Sequence, residues 1–161
     1  GSVSHTEEVP SFLPDRFEPG TPNIPGILGL HAALCDLEQT DMGKLHQHEL
    51  ELTQYFINGL MQMDPSESTL RAIGKHNTIE RTSVVSVQTL QTDMARVAYE
   101  MDDTYGIMTR VGLHCAPSAH KTLGTYPEGT IRFSFGPENT HHEVDLALHA
   151  LAEITGSPYH L

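Results

Sequence analysis

Basic side chains are scarce in this chain. Nine Lys and Arg stand against 21 Asp and Glu, a formal charge of -12 over 161 residues, so a nucleic-acid backbone or an anionic membrane is disfavoured as a partner by like-charge repulsion. Long apolar runs are also missing. None approaches the ~18 residues of a spanning helix, and the N-terminus lacks the basic-then-apolar layout of a signal peptide, so the expectation is a soluble, cytoplasmic protein. The two cysteines, Cys35 and Cys115, fit no disulfide framework and read as free thiols of a reducing compartment. Eleven histidines are present, yet no C-x-x-C or H-x-x-x-H spacing accompanies His114, Cys115, His120 or the pair His141-His142. No metal site is expected from them. No internal repeat or low-complexity tract interrupts the chain.

What is there is enough for one domain with its own core. Pro10, Pro14 and Pro19 mark residues 1–20 as an extended arm, because proline removes a backbone donor and restricts the residue before it. From Thr21-Pro22-Asn23-Ile24 the pattern turns helical, with Thr21 in the position of an N-cap ahead of Pro22. A second helix from Asp41 to Met63 puts Leu45, Leu52, Tyr55, Phe56, Leu60 and Met63 on one stripe, and both helices are expected to pack on a sheet. Ser83 to Val87 reads as a β-branched strand, and Met94, Val97, Ala98 and Met101 as a helix ended by Gly106. A strand over Ile107 to Val111 follows. Thr130 to Phe135 alternates, with Ile131, Phe133 and Phe135 on the core side and Arg132 facing away from it. Thr140 and Glu143 form a capping box for a helix buried along Val144, Ala147, Leu148, Leu151 and Ile154. The domain spans 21–156 and a tail 157–161. Helices alternating with strands on a small sheet suggest an α/β two-layer fold.

The informative stretch is Arg110-Val111-Gly112-Leu113-His114-Cys115-Ala116-Pro117, followed by the strand arginine Arg132. A thiol in a Gly/Pro-bounded loop beside a basic strand can act as a nucleophile on something anionic. Cys35, in an apolar helical stretch, reads as core.

Taken with Arg16-Phe17-Glu18-Pro19-Gly20-Thr21-Pro22-Asn23, Tyr105-Gly106-Ile107, Gly129-Thr130-Ile131-Arg132-Phe133-Ser134 and Asn139-Thr140, that stretch resembles the C-terminal part of a cysteine desulfurase. Such enzymes belong to the class V aminotransferases, and the resemblance is to the branch that includes selenocysteine lyases. It covers residues 3 to 155. It implies the small C-terminal domain of that fold, a short and mostly antiparallel sheet with helices packed on one side. It also implies a pyridoxal 5'-phosphate enzyme that takes sulfur from L-cysteine, leaves alanine and carries a persulfide on its own thiol. Cys115 would be that thiol, Arg132 would grip the substrate α-carboxylate, and Arg110 and His114 would shape the cysteine loop and substrate site. Thr21 would bond the cofactor phosphate of a second subunit, implying a homodimer, and Asn23 would be a structural cap. The family's cofactor lysine belongs to a large domain that these residues do not match. Ser118-Ala119-His120-Lys121 imitates the stretch that carries it, but Lys121 falls within the C-terminal block and is not expected to hold the cofactor.

Three readings follow. The chain contributes thiol and carboxylate clamp to a site it does not complete alone, works with a separate chain bearing the large domain, or is a non-catalytic interaction or dimerisation domain, for instance one that binds a sulfur-acceptor protein. Self-association with the arm laid on a neighbour is expected. The residues do not separate cysteine from selenocysteine or another amino acid as substrate.

Overall fold

The computed structural model describes residues 8–18 and 20–158. The first seven residues of the expected arm, Pro19, and the tail beyond Pro158 lie outside them. The chain divides into two compact units, one up to Met42 and one from Gly43.

In the first unit, residues 8–18 hold no helix or strand, but the segment is not fully extended. Arg16 N–H donates to the Phe12 carbonyl, and the Phe17 and Glu18 N–H groups both reach the Pro14 carbonyl. Helix α1, Ile24–Gln39, follows. Its N-cap is Asn23, whose side chain accepts from Gly26 N–H at 3.2 Å, with proline in the first turn. Thr21 therefore precedes the cap. The shift has a physical cause: Pro25 suits a first-turn position, and the Asn side chain reaches the free N–H three residues on. Contrary to expectation, α1 buries none of its residues, and Ile24, Leu28, Leu30 and Leu34 are all at least half exposed. Cys35, expected in the core, is partly exposed, with its sulfur 3.8 Å from His31.

The second unit holds the core. Helix α2, Met42–Met63, buries Leu52, Phe56, Leu60 and Met63 as the stripe predicts, together with Ile57. Tyr55 departs from the stripe: it is 39% exposed and donates to Asp145 at 2.7 Å, so its phenol end takes a polar partner at the surface. Strands β1 (Leu70–Ile73), β2 (Val84–Thr89), β3 (Arg110–Gly112) and β4 (Thr130–Ser134) form one antiparallel sheet in the order β1-β2-β4-β3. Helices α3 (Met94–Tyr105), α4 (Pro117–Leu123) and α5 (His141–Thr155) complete the unit. Gly106 ends α3 in the left-handed region and Thr140 with Glu143 forms the expected capping box of α5. β1 and α4 were not foreseen, and β3 starts at Arg110 rather than Ile107.

Because side chains alternate along a strand, the register sorts the sheet into two faces. Leu70, Ala72, Val85, Val87, Ile131 and Phe133 are buried with Phe56, Val97, Met101, Leu148 and Leu151. The Phe56 ring lies 4.8 Å from Phe133 and 5.3 Å from Phe135, centroid to centroid. The opposite face carries Arg71, Ser86, Gln88, Thr130 and Arg132.

Candidate active site

The polar face of the sheet positions the candidate site. β3 pairs with β4 so that Arg110 stands directly opposite Arg132 and Gly112 opposite Thr130. Two like charges in cross-strand register are unfavourable, and neither arginine has a carboxylate ion-pair partner among the described residues. Arg132 is half-buried, and its Nε is buried without a hydrogen-bond partner. In a chain of 21 acidic residues, cations left facing each other suit an external anion, and a planar guanidinium suits a carboxylate.

Immediately after β3 the backbone makes a tight turn. Ala116 N–H donates to the Leu113 carbonyl at 2.8 Å, and the two central residues, His114 and Cys115, both have positive φ, 50° and 58°. That is the pattern of a type I′ turn, whose usual occupants are Asn and Gly. Holding two ordinary residues there costs roughly 1–2 kcal/mol each, so surrounding contacts must fix the turn. Cys115 is exposed at its tip.

Three contacts are present. His114 Nε2 lies 3.2 Å from the Thr130 carbonyl on β4, and as an N–H it donates there, leaving Nδ1 bare. The His114 ring also packs 5.8 Å from His120, which is buried on α4 and bonded through Nδ1 to Thr125 Oγ1 at 2.7 Å. Finally, Gly129 abuts Gly112: a Cβ on Gly129 would come within 2.3 Å of the Gly112 backbone, and both glycines have positive φ, 82° and 110°. No side chain fits between them. Burial, then the charge of Arg132 and more weakly His120 and Arg110, hold the His114 pKa below its usual value, against the pull of the Thr130 carbonyl.

Of the residues singled out from sequence, Arg110, His114, Cys115 and Arg132 all fall on β3, β4 or the turn that leaves β3. Thr21 belongs to the first unit, where it lines a pocket of about 330 Å³ with Phe17, Glu18, Gly20, Pro22, Asn23 and Ile27. Lys121 Nζ rests over the Tyr126 ring, 5.0 Å from its centroid, and Lys75 pairs with Glu80 at 2.9 Å. Sequence reasoning placed Thr130 on this polar face with Arg132 but missed Gln88 and Arg71 there. The alternation of β2 could have placed Gln88 there.

The fold is an antiparallel α/β domain that sets an exposed thiol on a turn beside two arginines with no carboxylate ion-pair partner among the described residues. The chain matches the aminotransferase class-V family model over residues 2–147 and belongs to that family. Among curated relatives, a probable cysteine desulfurase of Staphylococcus epidermidis is 33% identical over 151 residues, 94% of this chain and 35% of the relative. One from Pyrococcus abyssi is 34% identical over 144 residues, 89% of this chain and 34% of the relative. Among solved structures, the apo cysteine desulfurase from Thermococcus onnurineus NA1 superimposes with a TM-score of 0.76 at 34% identity, covering 89% of this chain and 34% of that one. The cysteine desulfurase CsdA (S-sulfonic acid) from Escherichia coli gives 0.66 at 26% identity, covering 87% and 32%. The chain thus spans about a third of the length of the relatives it matches.

Proposed function

We propose that this chain is the thiol-bearing part of a cysteine desulfurase, with Cys115 as the sulfur acceptor and Arg132 as the carboxylate clamp. The observation that carries the reading is the exposed Cys115 on a turn one residue beyond the strand that sets Arg110 against Arg132. The buried, unpartnered Arg132 Nε fits an amino acid's α-carboxylate. Pyridoxal 5'-phosphate, when bound, supplies the electron sink that lets the substrate's carbon–sulfur bond break. The thiolate of Cys115 attacks the substrate sulfur, that bond's electron pair stays with carbon, and the carbon takes a proton to become the methyl group of alanine. Cys115 is left as a persulfide for transfer to an acceptor protein.

The residues present fit the substrate side of such a site better than the cofactor's aldehyde side. The chain spans only about a third of its relatives' length, and the cofactor's lysine is assigned to the large domain that these residues do not match, with Lys121 resting on Tyr126 and Lys75 paired with Glu80. Thr21 is assigned to the phosphate of the cofactor held by a second subunit, which makes the working unit a homodimer, and its compartment is assigned as the cytoplasm.

The test mixes this chain with the cofactor-binding two thirds of a relative and L-cysteine labelled on sulfur. Label on Cys115 that is released by thiol reductant, together with one alanine per sulfur, is the expected result. Cys115→Ser should abolish labelling, and Arg132→Lys should raise KM by about tenfold or more. Labelling that persists in Cys115→Ser overturns the assignment.

A further inference from the structure

We infer that Gln88, a residue of β2 outside every motif of the site, is a positioning residue for the cysteine turn, acting through Gly129. Gln88 is 6% exposed, so its amide is a buried polar group whose bonds matter. Its Nε2 donates to the Gly129 carbonyl at 3.2 Å, and its Oε1 accepts from Arg71 Nη2 on β1. Arg71 orients the amide, because a guanidinium accepts nothing and so forces the oxygen toward β1 and the NH2 toward Gly129.

Gly129 is the residue that meets Gly112 backbone to backbone, with no room for one carbon between them. Its N–H donates to the Thr125 carbonyl at 2.7 Å, and Thr125 also holds His120. Gly112 in turn leads directly into Leu113, the first residue of the turn that holds His114 and Cys115 at positive φ. A bond from the buried middle of the sheet thus pins the Gly129 peptide, and the Gly129 peptide is the wall against which the strand leading into the turn rests. Two non-glycine residues in the left-handed region persist only where their surroundings over-determine them. Gln88 supplies one of those constraints from a strand that does not touch the turn in sequence.

The inference rests on Cys115 as the reacting thiol, but its test does not use the reaction. Gln88→Met keeps length and neutrality and removes both bonds; Gln88→Glu keeps the acceptor for Arg71, adds a charge, and replaces the donor to the Gly129 carbonyl with an oxygen that repels it. Each is compared with the parent chain by two readouts. One is NMR, where strong intraresidue HN–Hα contacts at His114 and Cys115 report positive φ. The other is the rate of Cys115 alkylation by iodoacetamide, with Cys35 in the same molecule as internal standard. Expected is loss of those contacts and a change of the Cys115-to-Cys35 ratio by about threefold or more, in Gln88→Glu as in Gln88→Met. If Gln88→Met does not fold, Gln88→Glu decides. Unchanged turn signals and ratio, with shifts confined to β1 and β2, overturn the inference and leave the sulfur-labelling test of Cys115 untouched.

Discussion

At the scale of single residues, His114 shows how the site controls charge. It is the side chain that ties the turn to β4, and it does so as a neutral donor, since burial and then the Arg132 charge disfavour its cation. The sign for stability follows from the lowered pKa. The unfolded chain takes the proton near the ordinary value of 6.5 and the folded chain resists it, so the stabilisation from neutral His114 is complete above that value. It is lost as pH falls through the ordinary value toward the lowered one. Denaturant midpoints measured from pH 7.5 down to about 5 should therefore decline, and His114→Gln should flatten the part of the decline that this residue causes. Asp64 titrates in a separate window. Burial pushes its carboxyl up, but the Leu70 and Thr69 N–H groups and the Ser66 and Ser68 hydroxyls outweigh burial and bring it to about 2, from 3.8. Its stabilisation is present above 3.8 and is lost as pH falls through about 2.

At the scale of elements, connections are held by side chains that satisfy backbone ends. Asp64 closes the passage from α2 to β1, accepting from Thr69 N–H at 2.6 Å and Leu70 N–H at 3.0 Å. Thr140 and Glu143 cap α5: Glu143 N–H donates to Thr140 Oγ1 at 3.3 Å, and Thr140 N–H to Glu143 Oε2 at 2.8 Å. Because α5 lays Val144, Ala147, Leu148 and Leu151 into the core, fraying at its start loosens the whole layer. Thr140→Ala should lower unfolding free energy by about 1 kcal/mol, measured by urea denaturation, with Cys115 alkylation unchanged because the turn lies at the other end of β4. The local signals for this helix stand within four residues of its start, which is why the sequence alone placed it. The four-residue β1 had no such signal. Its burial alternates over only two buried positions, Leu70 and Ala72, and the strand exists because it pairs with β2.

At the scale of the whole molecule, the chain behaves as two units with different degrees of self-sufficiency. The unit from Gly43 onward buries a continuous core, whereas α1 leaves Ile24, Ile27, Leu28, Leu30 and Leu34 exposed. With no lysine assigned to the cofactor, the purified chain mixed with pyridoxal 5'-phosphate should show no visible band of a lysine-bound cofactor. Borohydride reduction followed by peptide mapping should find no label on Lys121. Label there would move the cofactor's attachment into this chain and overturn that part of the proposed function.

The sequence by itself determined what depends on near neighbours. The caps of α3 and α5, the alternation that turns Arg132 away from the core, and the motif residues around Cys115 are all set within a few positions along the chain, where propensity and period act. Tertiary structure alone decided what depends on distant segments. Register set Arg110 against Arg132, though the two lie 22 positions apart in sequence, and the close approach of Gly129 to Gly112 framed the turn. His114-Cys115 carries no Asn-Gly signature, so nothing local foretold a type I′ turn there. A conformation that local preference opposes is held only by contacts from elsewhere in the fold, and those contacts do not exist until the sheet has formed.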